Sequence, residues 1–373
     1  MRIAFDAKRI FQNQTGLGNY SRTLVDNLRQ YAPENDYLLF APTITKNEQT
    51  KKYDKEFTTV AATTRFKHIW RSYSIRKDLE KANIDLYHGL SNEIPFWLKN
   101  TKTVVTIHDV IFKILPHTYP QLDRWLYEEK TRYACKYAHQ IVAISEQTKA
   151  DLVRFYNVDP DRIEVIYQPC QPIFYEENKT YTKLISPTIA HLPAEYLLYV
   201  GSIVERKNLL VILQAMARTK VAQRIPLVVV GKGKAYQQKM RQYIAKQQLA
   251  NWVYWLDNLM DNTILKHLYH QAQVVIYPSH YEGFGLPIVE AMLCEAPVIT
   301  SNVSALPEAA GRSALLFDPD DADALADLIQ ALLSDTNRRH SLGKLGRKEV
   351  LKRFHPKKLT EQMLRLYQLT IHK

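Results

Sequence analysis

The sequence predicts an α/β protein made of two doubly wound, parallel sheets that follow one another along the chain. Three observations carry this. Short apolar runs alternate with amphipathic stretches of helical length. The alternation breaks once, in a Pro-rich segment, and then restarts. Runs such as Leu227–Val230 are apolar at every position, as strands covered on both faces are. A chain of 373 residues has room for two to three domains.

The elements follow in order. Arg2–Phe5 reads as a strand, followed by a Gly-containing loop, Gln14–Asn19, and a helix, Tyr20–Tyr31, whose Leu24, Val25 and Leu28 have helical spacing. Tyr37–Ala41, Asp85–His88, Thr103–Ile107, Gln140–Ile144 and Ile163–Tyr167 are further strands. Gln121–Ala138 is helical, and Ser145 is placed to cap a helix. Gln168–Glu195, with Pro169, Pro172, Pro187 and Pro193, reads as a linker. The second series has strands at Tyr196–Val200, Pro226–Val230, Val253–Leu256, Val274–Tyr277 and Pro297–Thr300. Its helices are Asn208–Arg218, Asn262–Gln271, Pro287–Cys294, Ala322–Leu333 and Asn337–Phe354. The expected domains are 1–170 and 190–355. Beyond them, Leu359, Met363, Leu366 and Tyr367 are spaced for one packed helical face.

Composition narrows the function. Hydrophobic residues make up 46% and charged residues 24%, which excludes extensive disorder. Cys135, Cys170 and Cys294 are odd in number, far apart and without C-x-x-C spacing. They predict neither a disulfide framework nor a cysteine zinc site. Met1 leads straight into R-I-A-F-D-A, without the pattern of a signal peptide, and no run of about 18 apolar residues occurs, so a cytoplasmic protein is expected. The net charge is +12, and 338–358 holds nine basic residues against Glu349. That segment is either a solvated helix face or an attraction to anions. Nucleic acid is not expected, because no helix-turn-helix, zinc-finger or RNP-like pattern accompanies the charge.

In doubly wound sheets, ligands bind beyond the carboxyl ends of the strands, so the residues just after each strand are the candidates for chemistry. Thr15–Tyr20 (T-G-L-G-N-Y) opens a helix, where Gly16 and Gly18 let a ligand approach the backbone. A plain strand-to-helix turn fits equally well. His108-Asp109 follows Thr103–Ile107 as a charged dyad, a hydrogen-bonding clamp, or a turn with a capping Asp. Gly201–Asn208 (G-S-I-V-E-R-K-N) ends in Arg206 and Lys207, two cations that suit a diphosphate or form a solvated pair. The most specific segment is Pro278–Met292. Gly283 and Gly285 permit a tight loop, and Pro287 suits the first turn of a helix. Glu282 and Glu290 bracket the loop, with Glu290 expected in the first helical turn. Such a carboxylate pair can do acid–base work or grip sugar hydroxyls.

On these residues, E-G-F-G-L-P-I-V-E at Glu282–Glu290, G-S-I-V-E-R-K-N, His108-Asp109 and T-G-L-G-N-Y, the sequence resembles glycosyltransferase family 4, of the GT-B fold. The motifs occur in the family's order across almost the whole chain. The resemblance implies two Rossmann-like domains facing a central cleft, with residues 356–373 crossing back to the first. It implies a retaining, metal-independent transferase without a cofactor. Glu290 would hold the ribose of a nucleotide sugar. Glu282, with the amides of Phe284, Gly285 and Leu286, would hold the transferred sugar, and Arg206 and Lys207 would neutralise the diphosphate. Gly16 would bring backbone amides to that diphosphate. His108 would lie near the reacting sugar, with Asp109 supporting its loop, and the base would lie near Asp257–Leu259. Ser202 stands where many relatives carry Arg, which leaves one cation fewer.

The opening motif and I-H-D-V look most like bacterial mannosyltransferases that build surface polysaccharides. GDP-mannose is the first donor expected, then UDP-sugars, with a glycan or lipid-diphosphate-linked glycan as acceptor. Arg65–Lys77 mixes Phe66, Ile69, Trp70 and Tyr73 with five basic residues. It reads as an interfacial amphipathic helix, giving peripheral contact with the inner membrane surface, or as a packed helix with a basic outer face. The competing functions are a nucleotide-sugar 2-epimerase of the same fold and a non-catalytic glycan- or nucleic-acid-binding protein.

Overall fold

The structure, a computed structural model, describes residues 1–13, 15–47, 49–98, 101–177, 186–218 and 225–373. It divides into two compact units: Met1–Pro169 with Phe354–Lys373, and Cys170–Arg353. Gln14 of the expected first loop and residues 178–185 of the expected linker lie outside the described residues.

The first unit holds a seven-stranded sheet: β1 (Arg2–Asp6), β2 (Asp36–Ala41), β3 (Thr58–Ala61), β4 (Leu86–Gly89), β5 (Lys102–Ile107), β6 (Gln140–Ala143) and β7 (Ile163–Val165). Its order is β3-β2-β1-β4-β5-β6-β7, and every pair is parallel. The second unit holds β8 (Leu197–Val200), β9 (Leu227–Val230), β10 (Val253–Leu256), β11 (Val274–Tyr277), β12 (Val298–Ser301) and β13 (Leu315–Phe317). Its order is β10-β9-β8-β11-β12-β13, again all parallel. Central strands such as β4, β6, β9, β11 and β12 are buried at every residue, and β9 and β11 read as unbroken apolar runs for that reason. Each sheet is doubly wound, and each reverses its strand order once, between β1 and β4 and between β8 and β11. At such a reversal the loops leave in opposite directions and open a crevice at the strands' carboxyl ends.

The last helix, Pro356–His372, belongs to the first unit and buries Leu359, Met363, Leu366 and Tyr367 there. A buried polar chain secures it. The Tyr367 hydroxyl lies 2.6 Å from His88 Nδ1, His88 Nε2 lies 2.8 Å from the Thr106 hydroxyl, and that hydroxyl lies 2.9 Å from the Tyr20 hydroxyl. Burial, and to a lesser degree His108, push His88 down to about 3, so it is a neutral hydrogen-bonding group.

Two expectations need correction. The loop Gln14–Asn19 is shorter than its motif suggests, because the helix already begins at Gly16 and runs to Tyr31. Arg65–Lys77 is no continuous amphipathic helix. Lys67–Trp70 ends in a turn, and a second helix starts at Ile75. Trp70 is buried and donates from Nε1 to Asp78 Oδ2 at 2.7 Å. Arg71, counted as part of a basic face, is buried between Asp6 and Glu93. Strands β3 and β13 and the helix Ala235–Lys246 escaped notice. Both strands lie at sheet edges and are partly exposed, and the helix buries only Gln237, Met240 and Ile244.

The two glycines of T-G-L-G-N-Y differ. A Cβ on Gly18 would stand 1.9 Å from the Asn13 carbonyl oxygen, whereas one on Gly16 would meet nothing within 4 Å. Asn13 Oδ1 also accepts from the Gly18 and Thr15 amides at 3.1 and 2.8 Å, which closes the turn. Gly18 is therefore required by packing and Gly16 is not. Gly18→Ala should destabilise the first unit by about 1–3 kcal/mol in chemical denaturation, as overpacked sites do. Gly16→Ala should stay within about 0.5 kcal/mol of wild type. Equal effects at the two positions would refute this assignment.

Candidate active site

At the sheet reversal of the second unit, the loops after β8 and β11 meet. The first loop makes a single 3₁₀ turn, Glu205–Lys207, closed by Asn208 in the left-handed region that Asn tolerates (φ 52°). Asn208 Nδ2 donates to the Pro319 carbonyl at 2.7 Å, which anchors the turn. Arg206 and Lys207 are thereby aimed at the β11 loop, where Glu282 is buried.

Four donors converge on Glu282 Oε1: Arg206 Nη1 at 2.7 Å, Lys207 Nζ at 2.8 Å, the Tyr277 hydroxyl at 3.0 Å and the Ser279 hydroxyl at 2.8 Å. Among the described residues, Oε2 receives none of these bonds. Lys207 also donates to the Tyr277 hydroxyl, and Arg206 to the Tyr281 carbonyl. The Glu282 amide is held by Ser304 Oγ at 3.1 Å. Burial opposes ionisation of Glu282, but Lys207 and then Arg206 outweigh it and carry the carboxyl down to about 2. The two cations are thus no solvated surface pair. Each is already paired with a carboxylate, so an incoming anion would meet a cluster of net charge near +1 rather than +2.

After Glu282 the loop turns through Gly285, whose φ of 122° lies in glycine's own region, and enters the helix Leu286–Leu293. No side chain caps this helix. Phe284 is buried and packs the loop down. Glu290 is the fifth residue of the helix, one residue further in than expected and past the first turn, so the helix N-terminus does little for its charge. Burial instead raises Glu290 to about 7, opposed only by the bond that Tyr269 OH donates to Oε2 at 3.0 Å. Part of Glu290 stays accessible.

Ser202 is exposed after β8, with its carbonyl bonded by the Tyr199 hydroxyl at 3.2 Å. Leu259 is half-buried beyond β10, which is two strands from β8 in sheet order. Beside it, Asp257 is tied to Gln237 at 2.8 Å and Arg241 at 3.3 Å.

The remaining candidates lie in the first unit. Gly16 is the exposed first residue of its helix. His108 is buried against Tyr20, ring centres 4.7 Å apart. Its Nε2 lies 2.9 Å from the Leu90 carbonyl, which can only accept, so Nε2 carries the proton and Nδ1 accepts from Gln168 Nε2 at 2.8 Å. Burial pushes His108 down to about 4. It is neutral near pH 7 and both ring nitrogens are engaged, so it is poorly placed to shuttle a proton in this arrangement. Asp109 is a turn residue: Oδ1 accepts from the Ile111 amide at 3.1 Å, and its carbonyl accepts from Asn92 at 2.9 Å.

Sequence reasoning missed Tyr277, Ser279, Ser304, Tyr269 and Gln168, the residues that hold Glu282, Glu290 and His108. Tyr277 and Ser279 alternate along the end of β11, and that pattern was the one available signal. Among the described residues, no group of three His, Cys, Asp or Glu side chains is arranged to hold a metal ion.

Residues 15–171 match the family model "Glycosyltransferase Family 4", and residues 187–349 match "Glycosyl transferases group 1". The chain belongs to glycosyltransferase family 4. It is an enzyme, a glycosyltransferase. O-antigen chain mannosyltransferase B of Escherichia coli is 28% identical over 99% of this chain and 100% of its own. O-antigen chain mannosyltransferase RfbU of Salmonella typhimurium is 27% identical over 70% of each. In fold, the chain is similar to Anabaena HepE in complex with UDP, with TM-score 0.77, 17% identity, and coverage of 99% of this chain and 100% of that one. The two Rossmann-like parallel sheets read from the sequence are the ones observed.

Glu290 gives a pH prediction. Unfolded, its carboxyl titrates near 4.5, and folded near 7. Between those values the folded state holds a proton that the unfolded state has lost, so stability falls as pH rises through this window and levels off above it. Glu290→Gln cannot lose that proton. Its stability relative to wild type should rise by about 1–2 kcal/mol between pH 5 and pH 8 in denaturant titrations, the accessible part of the carboxyl being allowed for. A pH-independent difference would contradict the buried, raised carboxyl.

Proposed function

We propose that this glycosyltransferase moves mannose from GDP-mannose, with retention of configuration and without a metal ion, onto a glycan or lipid-diphosphate-linked glycan acceptor. The observation that carries the reading is the ionised Glu282 gripped by Arg206 and Lys207 at the sheet reversal. A leaving diphosphate gains charge as the sugar bond breaks, and two preset cations beside it supply the stabilisation that a metal would otherwise give. As phosphate charge draws the cations forward, Glu282 Oε2 faces the sugar, whose ring gains positive charge in the transition state. Glu290 accepts from the ribose, and the amides of Phe284, Gly285 and Leu286 donate to the sugar. Gly16 supplies amides toward phosphate, Ser202 and Leu259 border the nucleotide, and His108 orients the reacting sugar, with Asp109 holding its turn. The acceptor hydroxyl attacks from the face that the diphosphate leaves, and the departing oxygen takes its proton. The names of the sequence relatives support mannose. The UDP complex of HepE makes UDP-sugars the necessary comparison.

A panel of nucleotide sugars tests this. Slow donor hydrolysis supports a transferase, isomerisation would convert the reading to an epimerase, and no binding to any donor would sink it. Glu290→Ala should weaken nucleotide binding in calorimetry by about ten- to a hundred-fold, the worth of a hydrogen bond to a charged group. Glu282→Ala should depress turnover more than it weakens bare nucleoside diphosphate. Activity should survive excess chelator, and loss that a divalent cation restores would overturn the metal-free mechanism.

The reading includes peripheral contact with an anionic membrane face. Tyr73, Phe96, Trp97, Tyr133 and Tyr137 form a chain of ring contacts at 4.4–5.4 Å, in which Trp97 is exposed. Phe66 and Ile69 are exposed nearby in sequence, beside Arg65 and Lys67. Aromatic rings with a basic surround suit a lipid headgroup layer. No described helix is long and apolar enough to cross a membrane. Co-sedimentation with phosphatidylglycerol vesicles should fall several-fold for Phe66→Ser with Trp97→Ser. Wild-type protein that stays in the supernatant at low salt would remove this part.

A further inference from the structure

The loop after β9 lies flush against the loop after β8. Val200 pairs with Val230 at the end of the two strands, and the register continues to a further parallel bridge between Ile203 and Gly233. The Gly201 amide donates to the Val230 carbonyl and the Ile203 amide to the Lys232 carbonyl, both at 2.9 Å. Two glycines make the fit possible. A Cβ on Gly231 would stand 1.9 Å from the Gly201 carbonyl oxygen, and one on Gly233 would stand 2.1 Å from that of Ile203. In this register Lys232 is the lateral neighbour of Ser202. Side chains alternate between the two faces along each strand, so neighbours in register share a face. Ser202 and Lys232 are both exposed, while Ile203 between the loops is buried.

Lys232 stands beside the Glu282 cluster. The stem of Lys207 crosses Gly201, its Cδ 3.2 Å from where a Cβ on that glycine would be. Lys232 starts one strand and one residue away from that point, and strands lie about 4.8 Å apart, less than the length of a lysine side chain. Gln237 holds the loop: its Oε1 accepts from the Gly233 amide at 2.9 Å, and its Nε2 donates to Asp257 Oδ1 at 2.8 Å. Asp257 is itself paired with Arg241. Among the described residues, Lys232 has no ion pair.

The charges at the crevice leave a role for it. Arg206 and Lys207 share Glu282, so they neutralise little more than one further charge. A nucleotide sugar is negative at each phosphate, and the diphosphate gains more charge as the sugar departs. Ser202 brings none to meet it. The sheet order is β10-β9-β8-β11, so a ligand that runs from the crevice beside β11 to Leu259 beyond β10 passes over the loops after β8 and β9. Lys232 lies on that path.

We infer that Lys232 is a third cation of the donor site, binding the diphosphate of the nucleotide sugar from the β9 side. The inference rests on the transferase reading and on the course that reading gives the nucleotide. Arg206 and Lys207 are held in place by Glu282, whereas Lys232 is a point charge on a free, flexible stem and can follow the phosphates as their charge grows.

Calorimetry on the full chain tests it, with GDP and UDP each compared with its monophosphate. Lys232→Ala should weaken the diphosphate that the wild type binds more tightly by about ten-fold, the low end for a bond from a charged donor, and should weaken the monophosphate less. The melting temperature should not move, because the side chain is exposed. Lys239→Ala, at an exposed position of the following helix, removes the same net charge and should leave diphosphate affinity unchanged. Ser202→Lys added to Lys232→Ala moves the cation one strand sideways and should recover most of the loss. Unchanged diphosphate affinity in Lys232→Ala would overturn the assignment and leave the donor reading standing. So would equal weakening by Lys239→Ala, which would reduce the effect to a long-range field. A wild type that binds neither diphosphate would sink the donor reading and this inference with it.

Discussion

A buried carboxylate that holds two cations is the interaction on which the second unit's site depends. Desolvating one charge costs several kcal/mol unless partners compensate, and Glu282 has four donors on a single oxygen. The cluster ties the β8 loop to the β11 loop across the sheet reversal by electrostatics as well as by packing. It also makes the cations conditional. Removing Lys207 or Arg206 leaves Glu282 under-compensated, so in the proposed mechanism their effects on transfer and on folding are coupled. The Tyr277 hydroxyl, between Lys207 and Glu282, lets the carboxylate keep a donor if a ligand draws the lysine away.

The fold was legible where burial is symmetric. Strands β9 and β11 are covered on both faces, so every residue is apolar and the pattern survives in one dimension. It was illegible at the edges. Thr58–Ala61 is mixed in polarity, Leu315–Phe317 is apolar but only three residues long, and both are partly exposed, so only their neighbours make them strands. The site was legible as a list and not as a geometry. Motif spacing brought out Glu282, Arg206 and Lys207, whereas their mutual pairing depends on which strands the topology makes adjacent.

The basic segment 338–358 shows why charge counting alone misleads. Arg339 donates to the Leu332 and Leu333 carbonyls at 2.6 and 2.8 Å, which satisfies the end of the helix Ala322–Ser334. Arg347 donates to the carbonyls of Leu293, Tyr175 and Glu176, and Arg353 to that of Glu308. Leu293 and Glu308 lie at or near the ends of helices, where carbonyls lack intrahelical donors. Part of the excess charge is thus structural, spent inside the second unit, and no polyanion is needed to account for it.

The two glutamates of one motif show how environment divides a single chemistry. Glu282 and Glu290 are eight positions apart and both largely buried, yet one is carried to about 2 and the other to about 7. The difference is partnership. Glu282 faces two cations, while Glu290 faces one phenol and an apolar surround that includes the thiols of Cys170 and Cys294. An ionised carboxylate suits a centre where positive charge develops. A carboxyl balanced near neutrality suits a hydroxyl-bearing ligand, because it can donate or accept as the ligand requires, and ligand hydroxyls that donate to it favour its ionised form. Binding at Glu290 should therefore release a proton, and the enthalpy of nucleotide binding near pH 7 should vary with the ionisation enthalpy of the buffer. A binding enthalpy identical in phosphate and Tris would mean that Glu290 keeps its charge state throughout.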